Sequence, residues 1–361
     1  MIKLKLISLM NIFKQRMILA FGVVIAVFAI ASGCAKETTL DTSEMTKAYF
    51  EAWMGQKHPG VKPSGLGIYV LEDTPGTGAP ISDNDYYYFV DYTITDLEGN
   101  ITSTTSKKLS QRLGTFNESN YYGSDIFLAD KSYTEAGVLD MMKGMRVGGT
   151  RKAVIPGWLN VVKDYSTAEE YEKNASASNT SAIYTISLVD KAPDIITWEI
   201  DSLMRYVAIN MAGVDSTKYG YYCKTLKQPT DDKTFSSDTN YYIDYTGRLL
   251  NGHVFDTTIE DTAKVHGIYS PSKKYAPMYV NPASSGDSYK NVTIASNSTA
   301  SGSTVVDGFA YCLANIRHDE KVVCAFYSGL GYGYSGKSPV IPKFAPLIFE
   351  IEVVGGSDLV D

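Results

Sequence analysis

The chain repeats itself, and that repetition limits what it can fold into. YYYFVDYTITDLEGN at residues 86–100 is answered by YYIDYTGRLLNGH at 241–253, which sets Tyr92 opposite Tyr245. GIYVLED (67–73) is answered by GYYCKTL (220–226), and MKGMRVGGTRKAVIP (142–156) by LANIRHDEKVVCAFY (313–327). Each block follows a stretch with apolar residues at helical spacing, MTKAYFEAWM in one case and KAPDIITWEIDSLMRYVAIN in the other. Within each block, runs of alternating apolar and polar residues bounded by Gly and Pro predict strands, with one short helical stretch before the third major strand. Two copies of a strand-rich unit with few helices define an α+β chain. At 361 residues each copy has enough length to bury its own core.

Both copies begin well after the N-terminus. Lys3, Lys5, Lys14 and Arg16 precede an apolar run, Met17 to Ser32, that ends at Gly33-Cys34. A basic start, a short apolar segment and small residues before a cut read as a secretory signal. The run is short for a membrane span and no charged stop follows it. Ala31-Ser32-Gly33-Cys34 resembles a bacterial lipobox, with Ala where Leu is usual, and this resemblance implies that Cys34 carries the lipid. The expected organisation is a signal at 1–33, a lipidated tether and helix at 34–62, a first domain at 63–193, a linker helix at 194–215 and a second domain at 216–357. The reading places the protein in a cell envelope, on the outer membrane or the periplasmic face of a Gram-negative bacterium.

Removing the signal takes four basic residues and no acids, moving the formal charge from −7 to −11. Such a surface repels nucleic acid and anionic headgroups, so membrane contact is expected through the lipid alone. Cys223, Cys312 and Cys324 have no metal-ligand spacing; Cys312 and Cys324 could pair, but read as small buried residues among apolar neighbours. The four histidines, His58, His253, His266 and His318, form no ligand-spaced group.

In the second block, three clusters follow one another: YTGRLLNGHVFD, VVDGFAYCLANIRHDEKV and LGYGYSGKSPVIPKFAPLIFEIEVV. Their order, spacing and residue types resemble the FKBP-type peptidyl-prolyl cis-trans isomerases, whose members read YTG then FD, VI then GW, and AYG then IPP. The resemblance implies a twisted antiparallel sheet wrapped around one short helix, with a pocket between them. It puts Tyr245, Phe255 and Phe349 on the pocket walls, Phe309 on the floor where most members have Trp, and Val305, Val306 and Ile341 as aliphatic wall. Asp256 and Tyr332 would be the polar groups reaching the ligand, and the Val306 amide would hold a substrate carbonyl. Rotation about an X-Pro bond without covalent chemistry is the implied reaction, and no cofactor or metal is called for. Proline-containing peptides, exported client proteins and macrolide ligands are the implied partners, and a non-catalytic peptide- or partner-binding protein is the alternative. Singly, each of these aromatics reads as core, and Asp256 as a turn cap.

Two departures from the family stand out. Lys343 occupies the usual second proline of IPP, and a long insert at 257–304 separates Phe255-Asp256 from Val305-Val306. The insert reads as a solvated loop by default; a lid, a partner surface and a role in substrate choice remain open. The first block keeps Tyr92 but has Thr102-Ser103 at the Phe-Asp positions and Val138 or a neighbour at the floor. It has no AYG or IPP segment and is read as a degenerate, non-catalytic copy, with a spacer role or a substrate-holding or dimer-forming one.

Overall fold

The computed structural model describes residues 42–174, 176, 179–231, 240–282, 289, 292–297 and 299–355. The expected signal and Cys34 lie outside them. Among the described residues no helix is long and apolar enough to cross a membrane. Helix α1 (Thr42–Lys57) opens the first half and buries Phe50 and Met54, one turn apart on a single face. The Phe50 ring sits 5.5 Å from Tyr69 and 5.3 Å from Trp158. Strands β1 (Tyr69–Thr74), β2 (Tyr87–Thr95) and β3 (Ile101–Thr104) follow, then α2 (Lys107–Leu113) and β4 (Asp125–Leu128). Helix α3 (Ala136–Met142), β5 (Thr150–Ile155), α4 (Ala168–Lys173) and β6 (Ala182–Ala192) complete this half. The polar segment between β5 and β6 contains α4, which forms because Thr167 caps it and Tyr171 inserts into the core.

Helix α5 (Ile195–Asn210), capped by Asp194, leads to the second half. There β7 (Tyr221–Lys227), β8 (Tyr241–Leu249), β9 (Val254–Thr257), α6 (Glu260–Val265) and β10 (Met278–Asn281) repeat the earlier order. Strands β11 (Thr293–Ala295) and β12 (Ser303–Thr304) are additional, and α7 (Asp307–Asn315), β13 (Lys321–Phe326) and β14 (Leu347–Gly355) close the chain.

Among the described residues all strand pairs are antiparallel, in two sheets. The first runs β1-β5-β6-β2-β3 with β4 also on β2; the second runs β12-β11-β10-β8-β14-β13-β7 with β9 also on β8. The shared plan extends to register. Thr93 pairs with Thr104 and Ile94 with Ser103, as Thr246 pairs with Thr257 and Gly247 with Asp256. The same hydrogen bonds recur: the amides of Tyr92 and Tyr245 each donate to a threonine hydroxyl, Thr105 and Thr258, at 2.9 Å. The helices agree as well. A Cβ on Gly137 of α3 would lie 2.4 Å from Ile155, and one on Gly308 of α7 would lie 2.5 Å from the Phe326 ring. In both halves a glycine lets the helix settle against the end of the strand that follows it.

The insert is not the solvated loop expected of it. Its α6 and β10 match α2 and β4 of the first half, and β10 pairs with β8. Strands β11 and β12 then extend the same sheet beyond β10. The strand-forming residues Met278–Asn281 and Thr293–Ala295 carry buried Val280 and Ala295, which gives the excursion its own apolar side.

Each sheet curls over its helix, and the space between holds the core: Val90, Val138, Met141, Ile155 and Leu188 in one half, Tyr241, Ile243, Phe326, Leu347 and Ile351 in the other. Helix α5 packs Leu203 and Val207 on the opposite face of the second sheet, against Tyr222, Ala325 and Ile348. Cys223, Cys312 and Cys324 are free thiols, with Cys223 and Cys324 opposed across β7 and β13.

Candidate active site

A cavity of about 570 Å³ opens between β8, β9, β14 and the start of α7. Its lining contains all nine residues that the resemblance nominates: Tyr245, Phe255, Asp256, Val305, Val306, Phe309, Tyr332, Ile341 and Phe349. They come from segments more than a hundred residues apart, so the sheet register brings them together. Phe349 on β14 pairs with Gly247 on β8, and Gly247 in turn pairs with Asp256 on β9.

The glycine at this crossing is required. A Cβ on Gly247 would lie 2.6 Å from the Phe255 ring and 2.9 Å from the Phe349 ring, so the two aromatics close over bare backbone. Phe349 lies at the centre of the box. Its ring is 4.6 Å from Phe309, 5.5 Å from Phe255 and 6.1 Å from Tyr245, in tilted or edge-on arrangements that aromatic quadrupoles favour. Phe309 is 2% exposed, in the first turn of α7, and closes the floor of the cavity. Val306 is the residue at which α7 begins, its backbone extended, and it lies on the wall.

Polarity in this box is sparse and aimed. The Tyr245 hydroxyl donates to Asp256 Oδ2 at 2.9 Å. Lys273, from the insert, donates to the other carboxylate oxygen and, at 2.9 Å, to the Thr257 carbonyl. Burial, helped by the adjacent Asp256 carboxylate, pushes the Tyr245 phenol well above its ordinary value, so it stays a donor throughout the physiological range. Burial and the same carboxylate raise Tyr332. The arrangement has no nucleophile beside a general base. It can grip an apolar ring, withhold water from it and offer a few directed hydrogen-bond donors.

The lining also includes Ile294, Ser303, Thr304, Lys337 and Val340. Lys337 and Val340 lie inside the cluster quoted above, where spacing from Tyr332 could have revealed them. Ile294, Ser303, Thr304 and the Asp256 partner Lys273 belong to the insert, where no motif marks them.

Two other cavities lie between the halves. One, of about 320 Å³, is lined largely by apolar residues that include Phe89, Trp198, Leu249 and Phe344; the other, of about 530 Å³, is polar and includes Glu118, His253 and His266. In the apolar one the Trp198 indole donates to Asp190 Oδ2 at 3.1 Å, and neither contains the Tyr245–Asp256 pair.

The first half lacks the box at the matching place. Strand register sets Tyr184 opposite Ile94, as Phe349 is set opposite Gly247, so one wall aromatic persists that the sequence reading passed over. Ile94 fills the place that Gly247 leaves open. Ser103 stands where Asp256 does, Val138 where Phe309 does, and the Tyr184 hydroxyl is occupied by Asn160 Oδ1 at 2.7 Å.

Residues 283–354 match the family model of FKBP-type peptidyl-prolyl cis-trans isomerases. The matched stretch lies over α7, β13 and β14 and the part of the cavity that they line. The match begins within the insert and covers well under half of the chain; Val305 to Phe349 fall inside it, and Tyr245, Phe255 and Asp256 outside. Solved structures similar to the chain include a peptidyl-prolyl cis-trans isomerase of Pseudomonas syringae pv. tomato, at 21% identity and TM-score 0.31, covering 45% of this chain and 94% of that one. The three FKBP domains of wheat FKBP73 are similar at 15% identity and TM-score 0.28, covering 80% of this chain and 94% of that one. FkpA of Escherichia coli is similar at 17% identity and TM-score 0.29, covering 45% and 62%. No curated protein matches the chain significantly.

Proposed function

We propose that the second domain is a peptidyl-prolyl cis-trans isomerase acting on exported proteins, and that the first is a degenerate, non-catalytic FKBP-like copy. The observation that carries this reading is the cavity in which an aromatic box closes around the Tyr245–Asp256 pair.

Amide resonance sets a barrier of roughly 18–20 kcal/mol to rotation about the X-Pro bond. The planar ground state is charge-separated and best solvated by water, whereas the twisted transition state has lost that resonance. Phe255, Phe309 and Phe349 exclude water and hold the proline ring, so the planar form loses more than the twisted one. Lowering the barrier by about 5–6 kcal/mol gives about 10⁴-fold acceleration. The Val306 amide is the proposed donor to the substrate carbonyl, with Val305 and Ile341 as aliphatic contacts. Asp256 and Tyr332 face the twisting bond, and Tyr245 fixes Asp256.

A lipid on Cys34 would hold the chain at the envelope, where newly exported clients wait tens to hundreds of seconds for uncatalysed X-Pro isomerisation. A macrolide that binds FKBP-type pockets would occupy the same box.

The test is cis-trans exchange of a proline tetrapeptide, followed by NMR with the full-length chain and with Phe255→Ala. Acceleration that falls in the variant supports the reading. Tight peptide binding with exchange left at the uncatalysed rate would make the domain a peptide holder instead.

A further inference from the structure

We infer that Lys337 makes the cavity a reader of charge, favouring peptides in which an acidic side chain flanks the proline. The inference rests on the reading of the cavity as a proline-peptide site and adds which peptides it takes.

The described lining and its immediate partners contribute three formal charges: Asp256, Lys273 and Lys337. Two of them cancel, because Lys273 is bound to the Asp256 carboxylate, whose other oxygen already accepts from Tyr245. Lys337 has no ion pair among the described residues, and its Nζ stands 6.0 Å from the centre of the Tyr332 ring. The cavity therefore carries an uncompensated positive charge at its mouth, on a chain whose formal charge is −7.

The root of this side chain is fixed. The Lys337 amide donates to the Ile341 carbonyl at 2.8 Å, and its own carbonyl accepts from the Val340 and Ile341 amides, both at 2.9 Å. Gly336, just before it, has φ of 56°, and a Cβ there would come within 2.6 Å of the Ile341 carbonyl oxygen. This closed turn starts at Lys337 and ends at Ile341, a wall of the box. The ammonium can move on its stem, but the stem leaves the backbone at the rim, beside the ring that a bound proline would face. The rest of the lining is apolar or hydroxylic, so no second charge competes with it.

A carboxylate on a residue next to the proline would meet this cation partly shielded from water by the cavity wall. An exposed pair of this kind is weak and salt-sensitive, so the preference should be modest, of the order of 3–10-fold at low ionic strength. An Arg or Lys at the same flank would be disfavoured.

The experiment uses the full-length chain and tetrapeptides carrying Glu, Gln or Lys either just before or just after the proline. Affinity is measured by NMR titration and catalysis by cis-trans exchange, each at low salt and at about 1 M NaCl, with wild type and Lys337→Glu. The order Glu, Gln, Lys at one flank, flattened by salt and reversed in the variant, is expected. No charge order at either flank, or the same order in Lys337→Glu, overturns the inference. Charge-ordered binding without catalysis overturns the isomerase reading and leaves the inference standing. Catalysis without charge order does the opposite, and absence of both binding and catalysis overturns both.

Discussion

The Tyr245 hydroxyl meets Asp256 Oδ2 at 2.9 Å, whereas at the equivalent place in the first half Tyr92 faces only the Ser103 hydroxyl, at 3.5 Å. One register therefore carries an acid held by a phenol, and its copy carries two neutral groups barely within contact. The surrounding ladder is the same in both halves, so the difference lies in the side chains.

Because Asp256 is held by Tyr245 and Lys273 at the mouth of an apolar box, removing it should cost activity more than stability. A hydrogen bond to a charged group is worth about 1.5–3 kcal/mol where it is fully formed in the transition state. We expect Asp256→Ala to lower kcat/KM for a proline tetrapeptide by on the order of 10–100-fold. Tm should move by only a few degrees, since the side chain is 41% exposed. An unchanged kcat/KM would remove Asp256 from the site.

At Gly308 two opposing effects can be weighed. Ala is preferred over Gly inside a helix by about 1 kcal/mol. The added Cβ, however, would lie 2.5 Å from the Phe326 ring, which is 0% exposed and stacked 5.9 Å from Phe349. Overpacking of this kind costs about 1–3 kcal/mol, so Gly308→Ala should be net destabilising in chemical denaturation. Displacement of Phe326 should also reach the box through Phe349 and lower activity. A stabilised variant would mean that α7 can shift freely.

The strands β2 and β8 were legible in the sequence from local alternation, whereas the nine cavity residues were placed only through the family resemblance, since singly each aromatic reads as core. Thr102-Ser103 as counterpart of Phe255-Asp256 could also be read, and the strand register agrees. Tyr184 was not legible as a relic of the box, because its role depends on pairing with Ile94 across two strands distant in sequence. Lys273 was hidden for a similar reason. It lies outside any motif, and only the path of α6 and the chain after it brings its ammonium back to Asp256. The insert misled because its Ser, Thr and Asn content reads as loop, whereas alternation over three or four residues was enough for β10 and β11 to add to an existing sheet edge.

Glu199 gives a pH prediction. It is 1% exposed on α5, and its carboxylate accepts from the Ser328 amide and hydroxyl, both at 2.7 Å. Burial pushes its pKa up to about 7 from an ordinary 4.5, against the lowering effect of those two donors. Between these values the folded chain binds the proton that the unfolded chain has released, so stability is fullest below about 4.5 and is lost as pH rises toward 7. The loss attributable to this residue is on the order of 3 kcal/mol. Glu199→Gln cannot ionise, so the gap between variant and wild type in urea should shift in the variant's favour from pH 5 to pH 8. Parallel stability profiles would show that Glu199 titrates normally.

The last prediction concerns what the first half does for the second. The loop that carries Tyr332 and Ile341 touches it at three places: the Tyr121 amide donates to the Pro339 carbonyl at 2.9 Å, Tyr133 meets Tyr334 edge-on at 5.5 Å, and Tyr87 meets Phe344 edge-on at 5.5 Å. Phe344 has φ of 53°, a conformation unfavourable for an aromatic residue and held here by the hydrogen bond that its amide donates to the Gly333 carbonyl at 2.8 Å. Tyr133 is 53% exposed and belongs to neither core, so Tyr133→Ala should change global stability by no more than about 0.5 kcal/mol. If the contact steadies the loop, amide hydrogen exchange should quicken between residues 333 and 344 and kcat/KM should fall several-fold, while exchange in β8 and β14 stays as it was. Unchanged exchange in the loop would mean that the Tyr133–Tyr334 contact has no part in steadying it.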